Sequence, residues 1–469
     1  MAWGKRLIIL LSVVLFLVLW EVTYRLELIA AGLGHPVGIF LMLSNSTFLG
    51  RFALMLAQVA FASLFGGGIG KFSGQMIIRS SWLTQATIRF LRLGLWLPFL
   101  IYWTLPIWPP REEYVYDSII WAWLASVTAA ALFACYSYLT TLSALELKWS
   151  DVRTYLAREV VLQSFLIAVI SQFWTGPYSW VWFAGAEVER VYAAALLLVS
   201  FVFLLGLVFR SNFGQTAQVR GNILVKEIDN SNWSSLAGAF LLAVLCLVFW
   251  QLLSAPLAPY LLISPPLDVF RTVYRLLVRG SHIRYVEPIF WQHIGVSLVE
   301  TVGGLIFSGV IALIVSDRLA KNAGFRRFAF PLLPLTYVTP IVLPIFVIQW
   351  VGGYTGPWRV ALGSASLAFF PYLRVFWGLV DRPLACRLLL AIDDALPFAL
   401  LGAILGEAIN AVAGLGYFMV VTSRGRDTII EGLAAALITV LLLAVLSSVL
   451  RLMAKRLCFS TSLQHETSI

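Results

Sequence analysis

Long apolar runs recur along the whole chain, and they constrain its fold more than any other feature. A helix needs about 20 consecutive, mostly apolar residues to cross the hydrocarbon core of a bilayer. Runs of this kind lie near 7–25, 52–70, 89–108, 118–142, 160–182, 190–210, 236–258, 295–316, 328–350, 359–380, 396–420 and 429–453. Of the 469 residues, 60% are hydrophobic and 12% are charged, whereas a soluble domain is roughly half apolar and a quarter charged. The sequence therefore predicts an all-α polytopic membrane protein with about 12 transmembrane helices.

Basic residues are concentrated in short clusters between these runs. The net charge of +10 would by itself suit nucleic-acid binding. The clusters fall on alternate loops, however, as the positive-inside rule predicts for the cytoplasmic side of a membrane protein. We therefore expect the lipid bilayer as a partner, no nucleic acid, and both termini in the cytoplasm. Arg271, Arg275 and Arg279 fall on the predicted outer side, in a segment with the spacing of an amphipathic interfacial helix.

The cysteines and histidines are scattered along the sequence. Cys135, Cys246, Cys386 and Cys458 show no paired spacing, so they predict neither a disulfide framework nor a zinc site. The four histidines lie on predicted loops and a tail, where they form no metal cluster and no nucleophile–base pair. We expect no metal, no cofactor and no catalytic residue in this chain.

A glycine-rich stretch, LFGGGIGKFSGQ at 64–75, resembles a phosphate-binding loop only superficially. Phe65 stands where the first glycine of such a loop should be, and Phe72 follows the lysine. Glycines at the end of a membrane helix permit close helix packing, and that is the interpretation we prefer here.

The two sets of six runs share landmarks in the same order. The segment from Leu15 pairs with the segment from Leu245, and the segment from Ala168 pairs with the one from Ala403, so that Gln172 matches Glu407. Each half has six predicted crossings. Because this number is even, both halves begin on the same side of the membrane, which predicts two parallel repeats. The predicted domains are an N-terminal half, a polar cytoplasmic linker, a C-terminal half and a cytoplasmic tail, at 1–210, 211–235, 236–456 and 457–469.

Five segments of the C-terminal half resemble, in order, the permease subunits of ATP-binding cassette importers. They are LLISPPLDVFRTVYRLLVRG, WQHIGVSLVETVGGLIFSGVIALIVSDR, FPLLPLTYVTPIVLPIFVIQWVG, LAFFPYLRVFWGLVD and GEAINAVAGLGYFMV. The similar branch serves nitrate, sulfonate, taurine and thiamine-precursor uptake. The resemblance implies a bacterial inner-membrane permease that moves a small, anionic solute inward by alternating access. It also implies two partners: a cytoplasmic ATPase dimer, which holds the ATP, and a periplasmic or extracellular solute-binding protein.

The resemblance also indicates where the ATPase would be coupled. The family has a cytoplasmic Glu-Ala-Ala…Gly loop that docks on the ATPase, but this chain has Leu384, Ala385 and Cys386 in that place, with no following glycine. The equivalent segment of the first half has the features of a short helix. Candidate coupling residues are Asp151, Arg153, Arg158, Glu159, Arg382, Arg387, Asp393 and Asp394.

Polar residues inside apolar runs are candidates for the translocation path or its gate. A carboxylate at membrane depth is costly unless it is paired or faces water. Glu407 and Asn410 share one helix face, and both a path-lining role and a helix-packing hydrogen bond, for example to Arg374, are open. Arg374 also has the option of snorkelling to an interface, and we expect Glu300 at an interface. The full candidate set is Gln172, Arg374, Glu407, Asn410, Gly414 and Gly416.

Two other kinds of function compete with the importer. An ion-coupled secondary transporter would need acidic residues deep in several helices, and only Glu407 is convincingly placed by the sequence. A non-transporting membrane scaffold derived from a permease would account for the altered coupling loop.

Overall fold

The computed structural model describes most of the chain between residues 36 and 466. The described ranges are 36–94, 115–145, 213–229, 233–261, 264–279, 290–325, 357–423 and 429–466, together with isolated helical positions at 18–25 and 157–200. Within these ranges every regular element is helical, and there is no strand. The all-α prediction is confirmed.

Thirteen α-helices and one π-helical turn make up the described residues. In chain order they are α1 (Pro36–Leu43), α2 (Ser46–Phe61), the π turn Ala62–Gly66, α3 (Gly67–Ile77), α4 (Ser81–Gly94), α5 (Val115–Leu145), α6 (Phe213–Asp229), α7 (Trp233–Leu261), α8 (Pro266–Arg279), α9 (Phe290–Lys321), α10 (Pro357–Gly378), α11 (Leu384–Asn410), α12 (Leu415–Ser423) and α13 (Ile429–Glu466).

Seven helical segments among the described residues are long and apolar enough to cross a membrane. They are Phe48–Ile77, Trp123–Leu142, Ser234–Ser254, Phe290–Leu319, Trp358–Gly378, Leu384–Ala408 and Ile430–Cys458. The chain is therefore a multi-pass membrane protein. The runs predicted at 7–25, 89–108, 160–182, 190–210 and 328–350 lie mostly or wholly outside the described residues, so the number of 12 and the two-repeat arrangement stay predictions.

Gly66, Gly70 and Gly74 of the 64–75 stretch lie in the first of these spans and pack against α5. A Cβ atom at Gly66 would overlap Ala130 at 2.7 Å, and one at Gly74 would overlap the ring of Tyr138 at 2.7 Å. These positions therefore need a residue without a side chain so that the two helices can approach closely. The interpretation of the stretch as a packing surface is confirmed.

Helices α9, α10 and α11 form the centre of the C-terminal half. Gly304 of α9 and Gly402 of α11 both approach Ser364 of α10, which is fully buried. The hydroxyl of Ser364 donates a hydrogen bond to the carbonyl of Ala399 at 2.8 Å. Small residues thus bring three helices together at one point, and a buried hydroxyl stays hydrogen-bonded there.

The segment 211–235, predicted as a polar linker, contains a packed helix. Helix α6 contacts α5 in the first half and α10 in the second half. Ala217, Ile223 and Leu224 are fully buried. The three buried positions explain why this part of the chain has helical order, although its many polar residues had suggested a connection without a core.

The structure corrects the boundaries of the helix predicted at 396–420. Helix α11 begins at Leu384, so the segment expected as a coupling loop forms its first turns, and it ends at Asn410. A short break follows before α12 begins at Leu415. The break coincides with Gly414, whose φ of 110° lies in the left-handed region that favours glycine.

A second correction concerns the cysteines. Cys386, at the start of α11, and Cys458, near the end of α13, form a disulfide bond with a Cα–Cα distance of 5.2 Å. The two residues are 72 positions apart, and no local spacing in the sequence indicated that they pair.

The amphipathic helix expected around 267–280 is present as α8, with Val269 and Leu276 buried against the protein.

Candidate functional site

The break between α11 and α12 is held by polar side chains inside the helix bundle. Glu407 of α11 accepts hydrogen bonds from the hydroxyl of Ser297 at 2.5 Å and from the backbone N–H of Gly416 at 2.6 Å. Both glutamate oxygens therefore satisfy donors, and the carboxylate caps the N-terminus of α12 in the way that acidic groups stabilise helix starts. Glu407 itself is fully buried.

Helix α9 supplies the other contacts to this break. The hydroxyl of Ser297 accepts a hydrogen bond from the N–H of Leu415 at 2.8 Å, and Nδ1 of His293 accepts one from the N–H of Gly414 at 3.0 Å. Four residues separate these side chains along α9, so they lie on one face. Three consecutive backbone N–H groups, from Gly414 to Gly416, are thus satisfied by side chains.

Glu300 lies on the same face of α9, three residues beyond Ser297. Only 3% of its surface is exposed, and within the described residues its Oε2 atom is buried without a hydrogen-bond partner. The expectation that Glu300 occupies an interface is therefore wrong. Its position within the helix had suggested an interfacial site, but the packing of α11 covers it.

A second polar cluster lies nearer the start of α11 and is centred on Asp393. Arg92 of α4, Arg451 of α13 and Ser447 of α13 all donate to its carboxylate. The Arg451 contact measures 3.0 Å. Asp393 therefore joins an element of the predicted N-terminal half to two helices of the C-terminal half.

Glu227 of α6 shares both arginines of this cluster. Arg92 donates to it at 2.5 Å and Arg451 at 2.7 Å, and the hydroxyl of Tyr136 donates at 2.8 Å. Burial disfavours the charge on Arg92, but the neighbouring carboxylates of Asp393 and Glu227 outweigh this effect and raise its pKa above the usual value.

Asp394 is bound by two further arginines. Arg220 of α6 donates to one of its oxygens at 2.5 Å, and Arg374 of α10 donates to the other at 3.2 Å. Arg374 is 3% exposed, so it neither snorkels to an interface nor pairs with Glu407. We call the set of Arg92, Arg220, Glu227, Arg374, Asp393, Asp394 and Arg451 the ionic cluster. It contains residues from both predicted halves and from the segment between them.

The predicted coupling residues are separated by the fold. Arg382 lies exposed in the turn between α10 and α11, and Arg387 donates to the backbone carbonyl of Phe376 at 2.9 Å. Asp393 and Asp394 are buried within the ionic cluster, so any coupling role of theirs would be indirect. The first-half candidates Asp151, Arg153, Arg158 and Glu159 lie outside the described residues.

The predicted path residues are likewise separated. Glu407, Gly414 and Gly416 meet at the break, where a Cβ atom on Gly416 would overlap the backbone of Ile404. Arg374 belongs to the ionic cluster instead. Gln172 lies outside the described residues, as does the side chain of Asn410. Within the described part of the chain, no group of three or more His, Cys, Asp or Glu side chains is arranged to hold a metal ion.

Several residues of both sites were missed by the sequence analysis. His293, Ser297 and Glu300 follow the 4,3 spacing of a single helix face, and this signal was visible beforehand. The ionic cluster around Asp393 offered no such signal, because Arg92, Glu227 and Arg451 come from three distant segments. Only the packing of α4, α6, α11 and α13 brings them together.

The fold and these two buried polar sites define a polytopic α-helical membrane protein whose spans are joined by ionic and hydrogen-bonded contacts. Part of the chain is similar to the formylaminopyrimidine transport permease protein ThiX of Halalkalibacterium halodurans. The two are 29% identical over 204 residues, which is 37% of this chain and 76% of that protein. This similarity supports a transport permease of the ATP-binding cassette type in general. No protein-family model and no solved structure matches the chain.

Proposed function

We propose that this chain is the transmembrane subunit of an ATP-binding cassette importer, in which two permease halves are fused in tandem. The observation that carries the proposal is the similarity to a transport permease over 204 residues. In this proposal the chain itself is not an enzyme. ATP is bound and hydrolysed by a separate cytoplasmic ATPase dimer, and the chain lies in the bacterial inner membrane with both termini in the cytoplasm.

The ionic cluster supports a mechanism in which the two halves move relative to each other. Alternating access requires an element with two discrete arrangements, and a buried set of charges between the halves favours one closed arrangement. Asp393 and Asp394 bind arginines from α4, α6, α10 and α13. If the halves separate on this side, these ion pairs have to be replaced by contacts with other partners or with water. We propose that the ATP-driven closure of the ATPase dimer supplies the free energy for this exchange.

Two classes of solute are candidates. The resemblance of the C-terminal half implies a small anion such as nitrate, a sulfonate or taurine, while the similar permease is named for a formylaminopyrimidine. A periplasmic or extracellular solute-binding protein would deliver the solute. We take the solute class as a small polar molecule, a description that covers both kinds of solute.

The exposed turn between α10 and α11 is the proposed contact with the ATPase. Asp381, Arg382 and Leu384 are all exposed there, and the turn directly precedes α11. Helix α11 contains Asp393, Asp394 and Glu407. A displacement of this turn by the ATPase would therefore move α11 and affect both the ionic cluster and the break between α11 and α12. Helical geometry separates Asp393 from Glu407 by about 21 Å along the helix axis.

Co-purification with an ATPase, followed by ATP turnover, tests this proposal. The tagged full chain is purified in mild detergent from its native host, and bound ATPase is identified by mass spectrometry. We expect Arg382→Glu to release the ATPase and reduce turnover. Arg271→Glu is the matched control, because Arg271 is 71% exposed in its side chain but lies on the predicted outer side. Full retention of the ATPase by Arg382→Glu would refute this contact, and the absence of any ATPase from the native chain would favour a scaffold.

The ion-coupled alternative requires acidic residues deep in several helices. Asp393 and Asp394 are buried within α11, and Glu431 is buried in the first turn of α13. Each is paired with at least one arginine, as structural buried charges are. The importer therefore remains our proposal.

A further inference from the structure

Glu300 and Glu407 are two buried carboxyl groups in neighbouring positions inside two candidate membrane spans. Ser297, which lies three residues before Glu300 on the same face of α9, donates to Glu407, and 3% and 0% of the surfaces of Glu300 and Glu407 are exposed. Two ionised carboxylates in such neighbouring buried positions would repel each other at low dielectric. A single proton removes one of the two charges and lets a carboxylic acid donate to a carboxylate.

The surrounding hydrogen bonds show which glutamate is the acceptor. Glu407 accepts from Ser297 through one oxygen and from Gly416 through the other, and it lies at the N-terminus of α12. Both features stabilise a negative charge. Glu300 has no comparable donors: within the described residues its Oε2 atom is buried and has no hydrogen-bond partner. A bare carboxylate oxygen in this position would be far more costly than the carbonyl oxygen of a neutral acid.

Other ionisable groups near the pair have different partners. His293 of α9 accepts from Gly414 and stacks on Tyr417 of α12, and Arg359 of α10 packs on the ring of Trp358. Arg275 of α8 and Glu431 of α13 bind each other at 3.0 Å. Within the described part of the chain, Glu300 and Glu407 form no ion pair with a basic residue. A bound proton would reduce the charge of this pair.

We propose that Glu300 and Glu407 form a proton-binding site, in which Glu300 holds the proton and donates it in a hydrogen bond to the ionised Glu407. The bound proton is a structural ligand of the break between α11 and α12. Without it, two negative charges would lie side by side at low dielectric, and the carboxylate that caps α12 would be repelled by its neighbour. This site does not depend on the proposed importer function.

Infrared spectroscopy of the full chain in lipid tests the site directly. The protein is made by cell-free synthesis with glutamate labelled with carbon-13 in the side-chain carboxyl, so that bands of protonated glutamate are identified by their isotope shift. We expect a protonated-glutamate band at neutral pH that is lost in Glu300→Gln. Glu431→Gln is the matched control: Glu431 is similarly buried but forms an ion pair with Arg275 at 3.0 Å, so its variant should retain the band.

Thermal melting of the same samples tests the assignment of donor and acceptor. Glu300→Gln replaces the O–H donor by an N–H donor and should leave the melting temperature almost unchanged. Glu407→Gln places an amide N–H group against another donor, either the hydroxyl of Ser297 or the N–H of Gly416. This variant should clearly lower the melting temperature. The reverse order of the two variants would overturn the assignment of the proton to Glu300.

The remaining outcomes also decide the question. If Glu300→Gln does not fold, Glu300→Asp replaces it: the proton then lies on an unlabelled aspartate, so the labelled band should disappear and an unlabelled one appear. No protonated-glutamate band in the native chain, or a band that both variants retain, would overturn the proposal. A third result would also overturn the proposal: the band is absent, and Na⁺ or K⁺ raises the melting temperature of the native chain but not of Glu300→Gln. A metal cation would then occupy the site.

Discussion

Arg92 and Asp393, whose side chains are 14% and 1% exposed, form an ion pair although 301 positions separate them in the sequence. The pair connects α4 of the predicted N-terminal half with α11 of the C-terminal half, and Glu227 of the segment between them binds the same arginine. Three parts of the chain therefore share one set of buried charges. Such a set is costly to break, since removing one partner leaves the others uncompensated.

Replacing Asp393 by Asn should destabilise the protein strongly. The substitution removes the negative charge that faces Arg92 and Arg451, whose side chains are 14% and 20% exposed, and leaves both guanidinium groups under-compensated. Removing one partner of a fully buried pair costs about 3–5 kcal/mol. The thermal midpoint in mild detergent, followed by the fluorescence of the tryptophans, measures the loss.

Asp268→Asn is the control for that change. Asp268 pairs with Arg271 on the surface of α8, with side-chain exposures of 45% and 71%, and exposed pairs contribute only about 0–1 kcal/mol. Equal stabilities of the two variants would mean that the ionic cluster is not formed in the folded protein.

Gly414→Ala should disrupt the break between α11 and α12. The φ of 110° at Gly414 strains any residue with a Cβ atom, and that atom would also overlap the carboxyl group of Glu407. A strained backbone position costs about 1–3 kcal/mol. Gly295→Ala in α9 is the control, because a Cβ atom there meets nothing within 4 Å and alanine favours the helix by roughly 0.5–1 kcal/mol. If Gly414→Ala were as stable as the control, the geometry of the break would be wrong.

The segment between the predicted halves should behave as part of the core. Ile223 of α6 is fully buried, and truncation of a buried isoleucine to alanine costs about 2–5 kcal/mol. Lys226→Ala, at an exposed position of the same helix, should change stability by less than about 0.5 kcal/mol. Comparing the melting temperatures of the two variants separates a packed helix from a flexible linker, for which both substitutions would be silent.

Peptide mapping without reductant should recover Cys386 and Cys458 as one cross-linked species. These cysteines are bonded in the structure, whereas Cys135 and Cys246 are free thiols and should be alkylated once the protein is denatured. We expect reduction to lower the stability by roughly 2–4 kcal/mol, the usual effect of removing a cross-link. Alkylation of all four cysteines in protein prepared without reductant would contradict the bond.

The long helices could be predicted because their signal is local. A run of about 20 apolar residues has few stable structures in a bilayer, and the runs near 118–142, 236–258, 295–316, 359–380 and 429–453 correspond to described spans. The amphipathic character of α8 and the packing role of the 64–75 glycines could likewise be predicted from the sequence. Each of these inferences needed only neighbours along the chain.

The polar sites could be predicted only in part because their partners are distant. Glu407, Gly414 and Gly416 were identified, but the role of Glu300 depends on how α11 packs against α9, and composition says nothing about that. Asp393 and Asp394 looked like surface charges near a loop, yet four arginines from separate helices enclose them. The helical order of α6 likewise comes from its contacts with α5 and α10 rather than from its own sequence.

The most direct test of the proposed importer is solute uptake into proteoliposomes that contain the chain and its co-purified ATPase. Labelled nitrate, taurine and a formylaminopyrimidine are the probes, each supplied with a solute-binding protein from the same host. The proposal predicts accumulation of at least one probe when ATP is present on the ATPase side, and none with a proton or sodium gradient alone. Accumulation driven by an ion gradient in liposomes without the ATPase would contradict it.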